Sequence, residues 1–192
     1  MDTTKIIQAL AYIASKQPDR TIDNIKAYKI LWLSDRCHLR RYGRTISGDV
    51  YYAMPKGVVP TDAKNLLEGK KTRLKTDNNY FAMYIRPTEN HKYSVISEPD
   101  TKKFSQTDIE VLDRVIERCK DLSGQELSEI SHKFPEWTFY EPMLRDANLK
   151  NSYKIDIDRF FDGCNDDPTG LFQNENPEII NLSKELYHQY NR

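Results

Sequence analysis

The side chains best placed for chemistry are Asp35, Cys37 and His38, which lie within four positions of one predicted helix. Nucleophilic catalysis needs a cysteine or serine beside a histidine that a carboxylate orients. Asp35 and His38 stand three positions apart, so their side chains are predicted to contact each other on one helical face. Cys37 points about 100° away from His38. The pairing is equally typical of a partly buried histidine, and we favour that structural interpretation over a small hydrolase that uses His38.

The histidines elsewhere in the chain lack the spacing of a metal site. His132 lies alone near the end of a predicted helix, and His91 and His188 are predicted to be exposed. Metal sites need Cys, His or carboxylate ligands that converge. The sequence contains no HExxH pattern, no P-loop and no dinucleotide-binding glycine pattern. We therefore expect no metal, no cofactor and no catalytic residue, and Ser131 beside His132 does not change that expectation.

A basic cluster at the end of the same helix raises nucleic-acid binding as an alternative. Arg36, Arg40, Arg41 and Arg44 surround the aromatic Tyr42, and cations beside aromatic rings are typical of such surfaces. The chain as a whole has a net charge of zero and a pI near 6.9, far from the strongly basic balance of most nucleic-acid-binding domains. Binding to its own promoter DNA, as a transcriptional regulator, stays open.

The zero net charge hides two halves of opposite sign. Residues 1–75 contain 15 Lys and Arg against 7 Asp and Glu, whereas residues 76–192 contain 14 against 22. Either the halves pack together and neutralise each other, or they form two faces of opposite potential that steer a binding partner. The sequence leaves both interpretations open.

Three cysteines, Cys37, Cys119 and Cys164, lie far apart with no CxxC spacing. An odd number of dispersed cysteines favours a reduced, cytoplasmic protein over a secreted one linked by disulfides. The first residues show no secretory signal, and no apolar run approaches the roughly 20 residues that a membrane helix needs. We expect a cytoplasmic protein without a membrane partner.

The elements that must position these side chains are mainly helical. Apolar residues at helical spacing predict a first helix over residues 4–16. Thr21 is the predicted N-cap of a second helix, and Gly43 is its predicted terminator. The middle of the second helix, residues 27–33, is apolar almost all round, which predicts a central, buried helix.

Short strands and further helices are predicted around these two helices. Alternating side chains predict a strand over Ile46–Met54 that Pro55 and Gly57 break, and paired strands are predicted at Tyr80–Ile85 and Lys92–Ile96. The remaining predicted elements are a short helix from Pro60 to Leu67, capped helices after Ser105 and Ser123, an extended turn at Phe134–Trp137, a short helix at Ile155–Phe161 and a last helix from Pro177 to Tyr190. This pattern predicts the α+β class, a mainly α-helical single domain with a small antiparallel β-sheet.

A long motif, made of several conspicuous segments in a set order, extends from Lys29 to Pro60. It reads KILWLSDRCHLRRYGR at 29–44, ISGD at 46–49, YAM at 52–54 and GVVP at 57–60, and a later Leu-Ser-Glu helix leads to Ser131-His132 and Trp137. This pattern resembles the Panacea domain of SocA-like antitoxins over roughly residues 5–140. Three positions depart from it: Trp32 stands where Tyr or Ala is usual, Cys37 fills a variable place, and Val58 replaces a proline.

The resemblance implies a bacterial or prophage antitoxin of a type II toxin–antitoxin system, which neutralises a cognate protein toxin by direct binding. It also implies a cellular protease as a candidate partner, because a family member delivers its toxin to a protease. Residues 1–150 would form the antitoxin domain, and residues 151–192 a C-terminal helical extension packed on it or continuous with it. The candidate motif or toxin-binding residues are Trp32, Asp35, Arg36, His38, Arg40, Arg41, Tyr42, Arg44, Asp49, Tyr52, Met54, Gly57, Pro60, His132 and Trp137.

The charged members of this set are predicted to divide between structure and recognition. Charges in so apolar a helix need partners, so Asp35 and Asp49 are predicted to join a buried network between the helix and the following strand. Arg40, Arg41 and Arg44 are predicted to be exposed and to contact the partner. Neutralisation needs a binding surface and no reaction centre, and the 12 tyrosines and two tryptophans are candidate anchors for one.

Overall fold

The computed structural model describes residues 3–191, with one long buried helix at the centre. In chain order the helices are α1 (Thr4–Ser15), α2 (Asn24–Tyr42), α3 (Thr61–Leu67), α4 (Asn78–Tyr84), α5 (Gln106–Cys119), α6 (Gly124–Ser131), α7 (Pro135–Thr138), α8 (Glu141–Arg145) and α9 (Pro177–Tyr190). Side chains on every face of α2 are buried, which confirms the prediction of a central helix. Helices α1, α5, α6 and α9 pack around it.

Local sequence signals begin and end these helices. The side chain of Asp23 accepts a hydrogen bond from the Lys26 backbone N–H and caps α2. Gly43 ends α2 in the left-handed region, with φ of 68°. A Cβ atom at Gly43 would lie 2.8 Å from the Ser183 carbonyl oxygen, so the glycine also lets α9 approach α2. The capping boxes predicted at Ser105 and Ser123 are present at the start of α5 and α6.

Two small antiparallel sheets lie beside the helices. The strands are β1 (Thr21–Asp23), β2 (Tyr51–Met54), β3 (Gly57–Pro60), β4 (Ile85–Thr88), β5 (Lys92–Val95) and β6 (Tyr153–Lys154). One sheet has the order β1-β5-β4 and the other β3-β2-β6. The predicted class, α+β and mainly helical with a small antiparallel sheet, is confirmed.

The strand predicted over Ile46–Met54 is too long. Strand β2 begins only at Tyr51. The backbone N–H groups of Ile46 and Ser47 donate to the Asp35 carboxylate, so they do not pair with a neighbouring strand. The predicted end of this strand at Met54 is confirmed, but the second strand that follows was not predicted. Gly57 begins β3, and β2 and β3 form a hairpin with Met54 opposite Gly57.

Thr21 is not the N-cap of α2, as the sequence suggested. It lies in β1, where it pairs with Ser94 of β5, and Asp23 supplies the cap. The strand predicted at Tyr80–Ile85 is wrong as well. The Asp77 side chain accepts hydrogen bonds from two backbone N–H groups of the following turn and so caps the start of α4. Strand β4 begins where α4 ends.

The extended turn predicted at Phe134–Trp137 is the short helix α7, with Pro135 in its first turn. A 3-10 helix at Ile157–Phe161 fills most of the predicted Ile155–Phe161 helix. The chain beyond residue 150 contacts the rest closely: β6 adds to β2, and α9 packs on α2. Whether residues 1–150 form a separate domain stays a prediction.

Candidate functional site

Asp35 lies in the middle of α2 and is completely buried. Its carboxylate accepts hydrogen bonds from the backbone N–H groups of Ile46 (2.7 Å) and Ser47 (2.9 Å), and from the hydroxyls of Ser47 and Tyr51. Burial raises the pKa of Asp35, while these donors favour its charged form. The carboxylate holds the loop between α2 and β2 against the central helix.

Asp49 fixes the far end of that loop to the next helix. Its carboxylate accepts hydrogen bonds from the backbone N–H groups of Val50 (2.6 Å), Asp62 (2.8 Å) and Ala63 (2.8 Å). Burial raises the pKa of Asp49 to about 7. Two of the three donors belong to the first turn of α3, so Asp49 joins the loop to that helix.

Lys29 is a buried cation at the start of the motif. Its Nζ donates to the carbonyl oxygens of Lys56 and Val58, both at 2.8 Å, and to the Ser131 hydroxyl at 3.1 Å. Within residues 3–191 no carboxylate forms an ion pair with it. Burial lowers the pKa of Lys29 to about 7. Lys29 thus ties α2 to the β2–β3 hairpin and to α6.

Arg36 and Trp32 share one buried carboxylate. Oε1 of Glu136 accepts hydrogen bonds from Trp32 Nε1 and from Arg36 Nε, both at 2.9 Å. The Arg36 guanidinium also donates to the Asp162 carbonyl oxygen at 2.6 Å and lies 4.4 Å from the centre of the Phe172 ring. All three members of the Trp32–Arg36–Glu136 cluster are completely buried. It joins α2 to α7 and to the C-terminal segment.

Arg40 was predicted to be exposed, and that prediction is wrong. Its guanidinium pairs with Glu175 at 2.6 Å and donates to the carbonyl oxygens of residues 160–162. Only 3 % of Arg40 is exposed. Arg36 and Arg40 therefore do not form the surface patch that the sequence suggested, because both guanidinium groups point into the protein and bind acidic or carbonyl partners.

His38 pairs with Asp108 of α5, and the predicted contact with Asp35 is absent from its hydrogen bonds. The Asp108 carboxylate lies 3.1 Å from His38 Nε2, 2.7 Å from Lys5 Nζ and 2.9 Å from Arg44 Nη2. Burial alone would raise the pKa of Asp108, but the hydrogen bonds from His38 and Lys5 hold it well below its usual range. His38 is completely buried, so it joins α2 to α5.

The later motif residues lie around the β2–β3 hairpin. Trp137 Nε1 donates to the Met54 carbonyl oxygen at 2.8 Å, and its ring centre lies 4.0 Å from that of His132, with the two planes tilted by 31°. Tyr52 pairs with Lys154 of β6, and Pro60 is buried at the start of α3. Trp137 of α7 and Lys154 of β6 thus contact the hairpin, of which Tyr52 and Pro60 are part.

The exposed edge of the motif is formed by Arg41, Tyr42 and Arg44. Tyr42 is 40 % exposed, Arg41 is partly buried, and the side chain of Arg44 is 45 % exposed. The edge lies where α2 meets the loop that leads to β2. Of the charged motif residues predicted to contact a partner, Arg41 and Arg44 reach the surface and Arg40 does not.

The sequence model of the family described as Antitoxin SocA-like, Panacea domain, matches residues 28–138 of this chain. That range begins in α2 and ends in α7, and it covers more than half of the chain. The chain belongs to the SocA-like Panacea family. No curated protein and no solved structure matches the chain. The Panacea match therefore contains every motif residue described above, while Glu175 and the carbonyl groups that hold Arg40 lie outside it.

The Panacea domain shields its candidate nucleophiles from solvent. Burial raises the pKa of the Cys37 and Cys119 thiols to about 12, and Ser131 beside Lys29 is completely buried. No group of three or more His, Cys, Asp or Glu side chains in residues 3–191 is arranged to hold a metal ion. None of the helices in this range combines the length and apolarity needed to span a bilayer.

Sequence reasoning missed the partners of the charged Panacea residues. Asp108 was predicted only as a residue of the capped helix after Ser105, and Glu136 only as part of a turn, while Lys29 was quoted in the motif without a role. A signal was available for Lys29, because a lysine inside an apolar helix must find oxygen acceptors. Glu175 offered no such signal, since it lies in a polar segment 135 residues beyond Arg40.

Proposed function

We propose that this protein is an antitoxin that binds and neutralises a cognate protein toxin. The observation that carries the proposal is the family match over residues 28–138. Neutralisation by binding needs an interaction surface, and a rigid scaffold that preforms this surface lowers the entropic cost of binding. The buried ion pairs and hydrogen bonds of α2 supply such a scaffold.

The distribution of polar groups supports binding more than catalysis. The motif carboxylates Asp35 and Asp49 are occupied by backbone and hydroxyl donors. His38 is buried between Asp108 and a carbonyl oxygen. Arg36 and Arg40, which suggested contact with nucleic acid, are buried in ion pairs. Among the motif residues at the end of α2, Arg41, Tyr42 and Arg44 reach solvent and form the exposed edge.

Co-expression with the reading frame beside its gene tests the proposal. Induction of the neighbouring product alone should arrest growth, and co-induction of this protein should restore it. The matched control is a chain carrying Asp35→Ala, which should fail to restore growth if it does not fold. Continued arrest with the wild-type chain present in soluble form would refute the antitoxin role.

The same cultures distinguish two ways of neutralising the toxin. If this protein blocks the toxin sterically, toxin levels on an immunoblot should stay constant while growth resumes. If it delivers the toxin to a protease, as an adaptor, toxin levels should fall after synthesis is stopped. Deletion of the responsible protease should then restore the arrest.

A further inference from the structure

A groove beside the family motif has a volume of about 830 Å³. The loop between α2 and β2, residues 44–51, forms one wall. The opposite wall is formed by residues 154–157, by Tyr187 of α9 and by Asn191, which follows that helix. Because Asp35 and Asp49 hold the loop at both ends, this wall is rigid.

Four cations line the groove against two carboxylates. The cations are Lys5, Arg44, Arg73 and Lys154, and the carboxylates are Asp49 and Asp156. The side chains of Arg44 and Arg73 are 45 % and 48 % exposed, and Lys154 is exposed with no ion pair among the described residues. Asp49 is buried and occupied by three backbone donors.

Buried carboxylates orient three of these cations toward the groove. Asp108 forms ion pairs with Lys5 and Arg44, and Asp62 forms an ion pair with Arg73 at 3.2 Å. Both carboxylates are almost completely buried. The negative ends of these pairs lie inside the protein and the positive ends face solvent, so a ligand at the surface meets the cations first.

The groove also offers apolar contact. Ile155 is buried, while Ile157 and Tyr187 are partly buried at the wall opposite the loop. Such a mixture suits a protein segment with both carboxylate and apolar side chains. A nucleic-acid backbone fits less well, because it needs a broad run of cations, and the exposed Asp156 interrupts the lining.

We infer that this groove binds an acidic and partly apolar segment of the toxin, anchored by Arg44, Arg73 and Lys154. The inference rests on the proposed antitoxin function and names the site that performs it. A carboxylate of the toxin segment accepts charge-assisted hydrogen bonds from the guanidinium groups of Arg44 and Arg73. Apolar side chains of the same segment pack on Ile157 and Tyr187. Lys71 and Lys75, on the exposed segment beside Arg73, extend the positive surface.

The test measures how tightly the purified product of the neighbouring gene binds to two double variants of this protein. Both variants lower the net charge by the same amount. Arg73→Gln with Lys154→Glu alters the groove. Arg86→Gln with Lys92→Glu alters the exposed β4–β5 hairpin, where neither residue forms an ion pair within the described part of the chain. The groove variant should weaken binding by roughly tenfold or more, with reduced dependence on salt. The hairpin variant should bind like wild type.

Three outcomes overturn the inference, and the first two leave the antitoxin role standing. If wild type and both variants bind equally, the groove is not the site, although the protein remains an antitoxin. If the groove variant keeps toxin binding but loses binding to a promoter duplex at low ionic strength, the occupant is nucleic acid. If wild type neither binds nor restores growth, the antitoxin role fails and the groove proposal with it. Melting temperatures within about 3 °C of wild type exclude unfolding of either variant as the cause.

Discussion

Asp35, Lys29 and Arg36 carry charged groups into the interior of the protein, where each meets several hydrogen-bonding partners. The donors around Asp35 come from the loop after α2, and the acceptors around Lys29 come from the β2–β3 hairpin and α6. Arg36 meets Glu136 and a carbonyl of the C-terminal segment. Removing one member of such a group leaves the others buried without partners, which costs more than the hydrogen bond itself contributes.

Asp35→Ala should destabilise the protein by about 3 kcal/mol or more, because it leaves two backbone N–H groups and a tyrosine hydroxyl unsatisfied. Urea unfolding measures the change in the free energy of unfolding. Asp121→Ala is the control, because Asp121 is exposed, and it should have little effect. A variant with Asp35→Ala that keeps the wild-type stability but cannot neutralise the toxin would place Asp35 in the interface.

Lys29 should make stability depend on pH in a defined direction. Its pKa is lowered from 10.5 to about 7 in the folded protein, so above pH 7 the unfolded chain keeps a proton that the folded protein releases. The free energy of unfolding should therefore rise with pH, by at most about 1.4 kcal/mol per pH unit. The useful window is about pH 8 to 8.5, because Asp49, whose pKa is raised to about 7, opposes the rise near pH 7, and the Cys37 and Cys119 thiols oppose it at higher pH.

Lys29→Met is the comparison for that measurement. Methionine has no titratable group, so the difference in slope between the two proteins isolates the contribution of Lys29. Urea unfolding at several pH values in the window gives both slopes. Identical slopes would show that Lys29 titrates alike in the folded and unfolded states.

At the scale of elements, the β2–β3 hairpin depends on a glycine. Gly57 has φ of 94°, and a Cβ atom there would lie 1.8 Å from the Ser131 hydroxyl oxygen and 2.6 Å from Lys29 Nζ. No side chain fits this space unless α6 or Lys29 moves. The hairpin, α2 and α6 therefore meet at one point where only glycine is accommodated.

Gly57→Ala should lower the melting temperature more than Gly69→Ala does. Gly69 also has a positive φ, of 64°, but a Cβ atom there would meet nothing within 4 Å. The Gly69 variant measures the cost of an ordinary left-handed backbone, about 1 kcal/mol, and the excess at Gly57 combines the steric conflict with the added strain of its φ of 94°. Equal losses of stability would mean that Lys29 and Ser131 move aside freely.

Local signals predicted the elements that they control directly. The apolar run at residues 27–33 and Gly43 predicted α2, and the two serine capping boxes predicted α5 and α6. The helix α4 was missed because its apolar residues fit a strand as well as one face of a short helix, and the Asp77 cap was overlooked. Strand β3 was missed because a glycine and a proline at its ends indicated a turn.

The buried state of Arg40 could not be predicted from its neighbours in sequence. Its acceptors lie at residues 160–162 and at Glu175, and no local pattern links them to α2. His38 is similar, since Asp108 lies 70 residues away. Sequence spacing favoured a contact between His38 and Asp35, but the Asp35 carboxylate accepts its hydrogen bonds from the loop after α2 instead.

At the scale of the whole molecule, opposite charges of the two halves of the chain meet in ion pairs whose carboxylates are buried or nearly buried. Lys5 and Arg44 pair with Asp108, and Arg40 pairs with Glu175. The basic excess that remains at the surface lies around the groove and along residues 70–75. The first interpretation, in which the two halves pack together and neutralise each other, is supported by these ion pairs. The second, in which two faces of opposite potential steer a partner, stays a prediction.

A chain that ends at residue 150 should fold poorly, because it lacks the acceptors of Arg40, the carbonyl partner of Arg36 and strand β6. We expect low solubility and a loss of cooperative thermal unfolding by circular dichroism, since buried unpaired charges cost several kcal/mol. The full-length chain prepared in parallel is the control. A truncated chain that melts cooperatively at the wild-type temperature would establish residues 1–150 as an independent domain.

Binding of the purified toxin candidate to the full-length protein is the most direct measurement of antitoxin activity. Isothermal titration calorimetry with the product of the neighbouring gene should show a saturable complex with a dissociation constant below about 1 μM, or about 8 kcal/mol of binding free energy. The same complex should elute as one species from a sizing column. Absence of heat and of co-elution at micromolar concentrations, with both proteins folded, would contradict the antitoxin role.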